Sequence, residues 1–134
     1  MTTGDALSPD TGEVLRTWLG SAPQITSFTG SRIGLNLSSQ SPSIRYALVS
    51  GENWGGGAVM VTWQVECWGP GNNTPDDGTA HAMARTVMAL APTMNGPIGG
   101  ANVSGATADL PYSADDPVTG RPRDIVEVTF SATP

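Results

Sequence analysis

The stretch AVMVTWQVECW, residues 58–68, decides the fold class of this chain, because apolar and polar side chains alternate along its whole length. Alternate side chains of a β-strand point to opposite faces of the sheet, so this period of two predicts a long strand with one dry face. The dry face carries Val59, Val61, Trp63, Val65 and Cys67. The opposite face carries Met60, Thr62, Gln64, Glu66 and Trp68.

Other strands are predicted on both sides of this segment. Residues 43–50 and 124–132 alternate in the same way, and residues 101–110 can also form a strand. The glycine-rich residues 51–57 are expected to be a flexible hairpin connection. Residues 21–42 are expected to be a loop, with at most a short strand near 33–37. Residues 111–122 are interpreted as a long polar excursion before the final strand.

Two helices are predicted from apolar stripes and capping residues. The first covers residues 9–19, with Ser8 as its cap and Pro9 at its first position. The second covers residues 75–90, and the residues expected to cap, open and charge its first turn are Thr74, Pro75, Asp76 and Asp77. The resulting order predicts an α+β fold: a mostly antiparallel β-sheet with two α-helices packed on one face, in a single domain over residues 1–134.

Composition excludes several classes of function. The chain has 134 residues and a net charge of −6, and its six basic residues are all arginines. Tight nucleic-acid binding and polybasic membrane binding both need clustered cationic side chains, so the acidic net charge argues against both. A P-loop nucleotide site needs a lysine, and the chain has none. A single cysteine allows no intrachain disulfide. With no basic start and no run of about 18 apolar residues, we expect a soluble protein that meets the cytosol.

No catalytic, cofactor-binding or metal-binding residue is predicted, and we expect a protein that is not an enzyme. His81 is the only histidine, and we interpret it as a solvated residue on a helix face. Zinc needs more Cys and His ligands than the chain has. The acidic residues near position 76 lack the spacing of a calcium loop. Asp115 and Asp116 are expected to be solvated turn carboxylates, and Cys67 is expected to be a buried, inert thiol.

The four tryptophans divide into two groups. Trp18 and Trp63 fall on the predicted core faces. Trp54, in the glycine-rich hairpin, and Trp68 do not. Exposed aromatic residues often mark interfaces, yet both side chains could also fold back onto the sheet, so interface and core remain equal alternatives for them.

The most specific motif is DPVTGRPR, residues 116–123, followed by the alternating final strand. This segment resembles the C-terminal pattern of tail terminator proteins from long-tailed (siphovirus-type) phages of actinobacteria. Those proteins commonly end with an Asp-rich loop, a Thr-Gly-x-Pro-Arg stretch and one last strand. The remaining layout is compatible with that family.

The resemblance implies a structural role. Such proteins form a ring, usually of six subunits, that caps the tail tube, ends its polymerisation and forms the surface that joins the head. The implied partners are further copies of the chain, the major tail tube protein and a head-completion or neck protein. DNA would pass the lumen without specific binding. The implied location is the virion, at the head–tail junction, with assembly in the host cytoplasm.

The 111–123 loop is then the best candidate for reaching a neighbouring subunit. Its arginines could pair with Asp115, Asp116 or Asp76 of that neighbour. The full set of candidate subunit or tube-interface residues is Trp54, Trp68, Asp115, Asp116, Arg121 and Arg123. The alternatives are another neck protein (head-completion or stopper), a small glycan-binding module that uses Trp54 and Trp68, and a small hydrolase built around His81.

Overall fold

The computed structural model describes residues 7–40, 42–69 and 77–134. In these ranges three α-helices accompany a mostly antiparallel sheet, which confirms the α+β prediction. The helices are α1 (Thr11–Ser21), α2 (Pro23–Thr29) and α3 (Thr79–Leu90). The strands are β1 (Ile33–Gly34), β2 (Ser43–Gly55), β3 (Ala58–Trp68), β4 (Gly96–Ile98), β5 (Ala101–Ala108), β6 (Tyr112–Ser113) and β7 (Arg123–Thr133).

The strand predicted from the 58–68 alternation is the centre of the sheet. The sheet order is β1-β2-β3-β7-β5-β4, and β6 pairs with the first residues of β7. Strand β3 lies antiparallel to both long neighbours, β2 and β7. Its pairing with β7 runs from Val59 opposite Ala132 to Trp68 opposite Arg123. The two segments with the clearest period of two are therefore adjacent, over almost their full length.

Strand β2 is longer than predicted. It continues through Gly55, so residues 51–55 belong to the strand and not to a flexible connection. The turn itself is only two residues long, and Gly56 and Gly57 both have positive φ angles of 62° and 84°. Two-residue turns between twisted strands require such angles, and glycine adopts them without steric cost. The glycines thus shorten the loop, and Trp54 lies on the strand.

The first two helices differ from the prediction in their boundaries and number. Helix α1 begins at Thr11, and its N-cap is Asp10, whose carboxylate accepts a hydrogen bond from the Glu13 amide at 3.1 Å. Ser8 is therefore not the cap. Helix α2 lies in the segment expected to be loop, with Pro23 in its first turn and Ile25 buried. Seven residues give too weak a periodicity for a sequence prediction, and this helix depends on packing against α1 and α3.

Helix α3 begins at Thr79, four residues after the predicted start. Gly78 stands before it with a φ of +83°, and the Asp77 carboxylate accepts a hydrogen bond from the Thr79 amide at 3.0 Å. The left-handed backbone at Gly78 prevents the helix from starting earlier. The predicted cap Thr74 and its neighbours Pro75 and Asp76 lie outside the described residues. The helix ends at Leu90, as predicted, and a 3₁₀ turn follows it.

The core lies between the helices and one face of the sheet. The predicted dry faces are confirmed at Val61, Trp63, Val65 and Cys67 on β3, and at Val126, Val128, Phe130 and Ala132 on β7. Trp18 and Trp63 are buried, and each indole donates a hydrogen bond. Trp18 donates to Thr93 Oγ1 at 3.2 Å, and Trp63 donates to Thr11 Oγ1 at 3.1 Å.

None of the helices in the described ranges has the length and apolar character needed to cross a membrane.

Candidate functional site

A cluster of polar and charged side chains lies on the face of the sheet that does not contact the helices. It is at the end of the sheet where β2 and β7 begin and β3 ends. The strand register places Arg45 opposite Glu66, and it places Trp68 between Ser43 and Arg123. Trp68 and Arg123, which are 55 positions apart in the chain, thus become cross-strand neighbours. The central strand supplies a carboxylate and an indole, and the two outer strands supply cations.

Glu66 is the buried centre of this group, with a relative exposure of 2%. One carboxylate oxygen accepts hydrogen bonds from Arg45 Nη1 at 2.6 Å and from Gln64 Nε2 at 3.0 Å. The other accepts one from Trp68 Nε1 at 3.2 Å, and Arg123 Nη1 lies 3.9 Å from it. A buried carboxylate is tolerated when it is paired in this way. The sequence prediction assigned Glu66 only to the polar face and did not identify it as a site residue.

Trp68 is buried in its own chain, with a relative exposure of 5%. The guanidinium carbons of Arg121 and Arg123 lie 5.1 and 5.0 Å from its ring, a distance at which cations interact with the π face. Of the two alternatives left open for Trp68, the structure therefore supports the one in which it folds back onto the sheet. Its indole is not exposed in the single chain, and a part in a subunit interface stays a prediction.

The Arg123 side chain also makes its contacts within its own chain. Its Nε donates a hydrogen bond to the carbonyl oxygen of Ala114 at 2.7 Å, and its Nη1 faces Glu66. Arg123 therefore has an internal role, and its pairing with a carboxylate of the next subunit stays a prediction. Arg123 holds the 114–122 loop against the start of β7.

Arg121 is buried, with a relative exposure of 7%, but its guanidinium is poorly paired. Nη1 donates to the Ser38 carbonyl and Nη2 to Ser43 Oγ, each at 3.4 Å, and Nε is buried without a hydrogen-bond partner. Burial lowers the pKa of Arg121, and the charge of Asp116 partly opposes this effect. The candidate residue predicted to face a neighbour is therefore a buried cation.

The two loop carboxylates make turn contacts, as expected. Asp116 accepts hydrogen bonds from the amides of Val118 and Thr119 at 3.3 Å each and from the Thr119 hydroxyl at 2.5 Å. The Thr119 hydroxyl is the main reason that the pKa of Asp116 lies below its ordinary value. Asp115 accepts from the Ser113 hydroxyl and the Arg123 amide, each at 3.4 Å. The third carboxylate proposed for pairing, Asp76, lies outside the described residues.

A cavity of about 390 Å³ opens beside Arg121. Its walls combine the Trp68 indole, the loop before β2 and the turn made by residues 116–119. The lining residues are Leu37, Ser38, Ser39, Trp68, Asp116, Thr119 and Arg121. Leu37, on the wall, is exposed by 43%, so an apolar side chain lies at the cavity together with the cationic Arg121.

His81 lies on the helix side of the sheet, away from this cavity. Its side chain is 58% exposed, in agreement with the expected helix-face position, but its Nδ1 is 2.7 Å from the carboxylate of the buried Asp124. Within the described ranges, Asp124 is the only hydrogen-bond partner of the His81 side chain. Cys67 is fully buried, as expected, and burial raises the pKa of its thiol far above the ordinary value. The same ranges hold no group of three potential metal-ligating side chains.

Trp54 lies at the opposite end of β2 and is 55% exposed. Its Nε1 donates a hydrogen bond to Glu52 Oε2 at 2.9 Å. On the same strand, Leu48 and Val49 are exposed by 56% and 51%. Strand β1 pairs only with Ile44 and Arg45, so the rest of the outer edge of β2 has no partner strand among the described residues. An open edge with apolar side chains is typical of a surface that meets another chain.

Comparison with known proteins does not name a family for this chain. No protein-family model matches it, and no curated protein matches its sequence. Its function therefore has to be argued from the geometry of its own residues.

Proposed function

We propose that this protein is a phage tail terminator of the siphovirus type, which assembles as a ring at the end of the tail tube, with six subunits as is usual in the family it resembles. The observation that carries the proposal is the open edge of β2 with its exposed Leu48, Val49 and Trp54. The DPVTGRPR motif at residues 116–123 adds the resemblance that selects this class among assembly proteins.

The open edge favours association with other protein chains. Strand β2 has 13 residues, and β1 covers only two of its first three. Unpaired strand backbone beside exposed apolar side chains favours the addition of a segment from another chain. Strand β2 carries one exposed carboxylate, Glu52, and its pairing with β3 is irregular at Leu48/Ser50 and Asn53/Gly55, features that limit non-specific pairing. Leu48 and Val49 nevertheless leave apolar surface exposed on this strand. Association with a second copy through this surface would bury these apolar side chains and pair the open strand backbone.

The face of the sheet that carries no helix has polar side chains, so it is suited to contact with water rather than with another layer of secondary structure. Hydroxyl pairs cross it: Thr62 with Thr129 at 2.8 Å, and Ser104 with Ser131 at 2.9 Å. In a ring, a face of this kind can line an aqueous channel. Six copies with a net charge of −6 each would carry −36 in total, and this excess of negative charge disfavours tight binding of DNA phosphates. This charge supports a conduit through which DNA passes without specific binding.

The partners that follow from the proposal are further copies of the chain, the major tail tube protein on one side of the ring and a head-completion or neck protein on the other. The protein would then belong to the virion at the head–tail junction, after assembly in the host cytoplasm. A head-completion or stopper protein is the nearest alternative, and it would bind the portal side instead of the tube.

The test is a capping assay on growing tail tubes. Purified protein is mixed with the major tail tube protein, and tube length and end structures are measured by negative-stain electron microscopy. We expect shorter tubes with a ring at one end. The variant Leu48→Asp should lose capping, whereas Leu110→Asp, at a residue 80% exposed outside the β2 edge, should keep it. Protein that neither forms rings in solution nor caps tubes would overturn the proposal, and binding to portal particles alone would support the neck alternative.

A further inference from the structure

We infer that the cavity beside Arg121 is a carboxylate-binding site, and that its occupant is Glu52 on the β2–β3 hairpin of a second copy of the chain. The inference deepens the proposed ring and rests on self-association. It names the contact that would connect one subunit to the next.

The first step is the unsatisfied charge of Arg121. A guanidinium offers five N–H donors, and here both Nη contacts are at 3.4 Å, the outer limit of hydrogen bonding, and go to neutral oxygens. Among the described residues no carboxylate lies within ion-pair distance of it. Asp116, on the same cavity wall, is engaged by the Thr119 hydroxyl and two amides. A buried cation of this kind is costly until an anion pairs with it.

The second step is the shape and chemistry of the cavity. A carboxylate suits two Nη donors, because guanidinium and carboxylate can form paired, charge-assisted hydrogen bonds. The volume of about 390 Å³ leaves room for the stem of a side chain and for neighbouring groups. The exposed Leu37 on the wall favours a protein segment over a small free ion, because a free ion would leave this apolar side chain uncovered.

The third step is the identity of the segment. Glu52 is exposed at the end of the hairpin, and Trp54 beside it supplies both a hydrogen bond to its carboxylate and an exposed apolar surface. The hairpin end and the cavity lie at opposite ends of β2, about 40 Å apart at the rise of an extended strand. A contact between unlike patches on identical chains is heterologous, so each subunit uses both patches and the contact repeats from copy to copy. Such repetition is what a ring needs.

The experiment measures self-association by sedimentation equilibrium at constant ionic strength. The variant Glu52→Gln is nearly isosteric at an exposed position and should leave the fold unchanged. It should weaken association by at least about tenfold, because it removes one partner of a desolvated charge pair. Asp109→Asn, also at an exposed carboxylate, is the matched control and should change association by less than about twofold. Arg121→Met retains the apolar stem against Trp68 and should weaken association as Glu52→Gln does.

The double variant gives the decisive comparison. If Glu52 and Arg121 contact each other across the interface, Glu52→Gln combined with Arg121→Met should lose little more than either change alone. Additive losses, or a Glu52→Gln protein that behaves like the Asp109→Asn control, would overturn the inference while wild-type rings and tube capping would still support the terminator role. Absence of wild-type association in both assays would overturn the two proposals together.

A competition arm identifies the ligand chemistry. Sodium acetate should weaken wild-type association more than sodium chloride does at the same ionic strength, and it should have no such effect on Arg121→Met. Equal effects of inorganic phosphate and acetate would show an unselective anion site and would contradict carboxylate recognition. If acetate has no specific effect on wild type and Asp116→Asn creates that effect, Asp116 occupies Arg121 within the subunit, which would also contradict the inference.

Discussion

Replacing Glu66 by alanine tests whether the buried polar group on the helix-free face stabilises the fold. Glu66 accepts hydrogen bonds from Arg45, Gln64 and Trp68, and its removal leaves these donors without their acceptor. Removing one partner of a buried ion pair typically costs about 3–5 kcal/mol. The Arg45 side chain is 36% exposed and can turn to water, so we expect the low end, about 3 kcal/mol.

The assay is urea unfolding followed by circular dichroism. With a slope of about 1.5 kcal/mol per molar urea, a loss of about 3 kcal/mol lowers the midpoint by about 2 M. An unchanged slope would show that the variant still unfolds as a compact single unit. Glu66→Gln keeps the size of the side chain and removes its charge, so it separates lost pairing from lost volume and should cost about 1.5–3 kcal/mol.

Glu127→Ala is the matched control, because Glu127 lies half-buried on the same face, opposite Gln64. We expect a change of no more than about 0.5 kcal/mol for it. A midpoint for Glu66→Ala within about 0.3 M of this control would refute the reasoning, since the pairing of Glu66 would then contribute no more than a surface carboxylate.

Four further predictions concern the core, a turn, a helix position and the thiol. Phe130→Ala, at a residue with no exposed surface, should lower the free energy of unfolding by about 3–5 kcal/mol in the same assay, and a loss below about 1 kcal/mol would contradict its place in the core. Gly99→Ala should cost more than about 1 kcal/mol, because Gly99 has a φ of +59° and a Cβ there would lie 3.0 Å from Val14 Cα. Gly20→Ala, at an exposed position in α1 with no atom within 4 Å of the added Cβ, should instead stabilise the protein by about 0.5–1 kcal/mol, and the same sign for both glycine variants would argue against this backbone assignment. Cys67 should not react with a thiol-specific disulfide reagent at pH 8 until the protein unfolds, because it is fully buried and burial raises its pKa; rapid labelling of the folded protein would show that the sheet opens locally.

Elements with a regular side-chain period could be predicted from the sequence. The period of two at 58–68 gave β3 with its correct ends, and the final strand at 124–132 agrees with β7 to within one residue at each end. Helix α2 could not be predicted, because its seven residues are held by packing more than by propensity. The start of α3 was misplaced because a proline suggests a helix start, whereas the backbone of Gly78 delays it.

The candidate site was predicted only in part. Arg121 and the 116–123 segment were identified from their sequence pattern, and the structure adds that Arg121 is buried beside a cavity. Glu66 was missed, since a glutamate on the polar face of a strand ordinarily meets water. The available signal was its position two residues before Trp68 on the same face, where an indole N–H can reach a carboxylate.

The sequence alone determined the fold class, the approximate positions of the four longer strands (β2, β3, β5 and β7) and the dry faces of β3 and β7, because these follow from the local period of the side chains. Only the tertiary structure decided what happens on the other face. Burial there depends on which strand lies alongside, and the order β2-β3-β7 brings Arg45, Glu66 and Arg123 together from distant parts of the chain. The strand order is set by non-local packing. It places the guanidinium carbons of Arg121 and Arg123 5.1 and 5.0 Å from the centre of the Trp68 ring, although the sequence alone left Trp68 open as an interface residue.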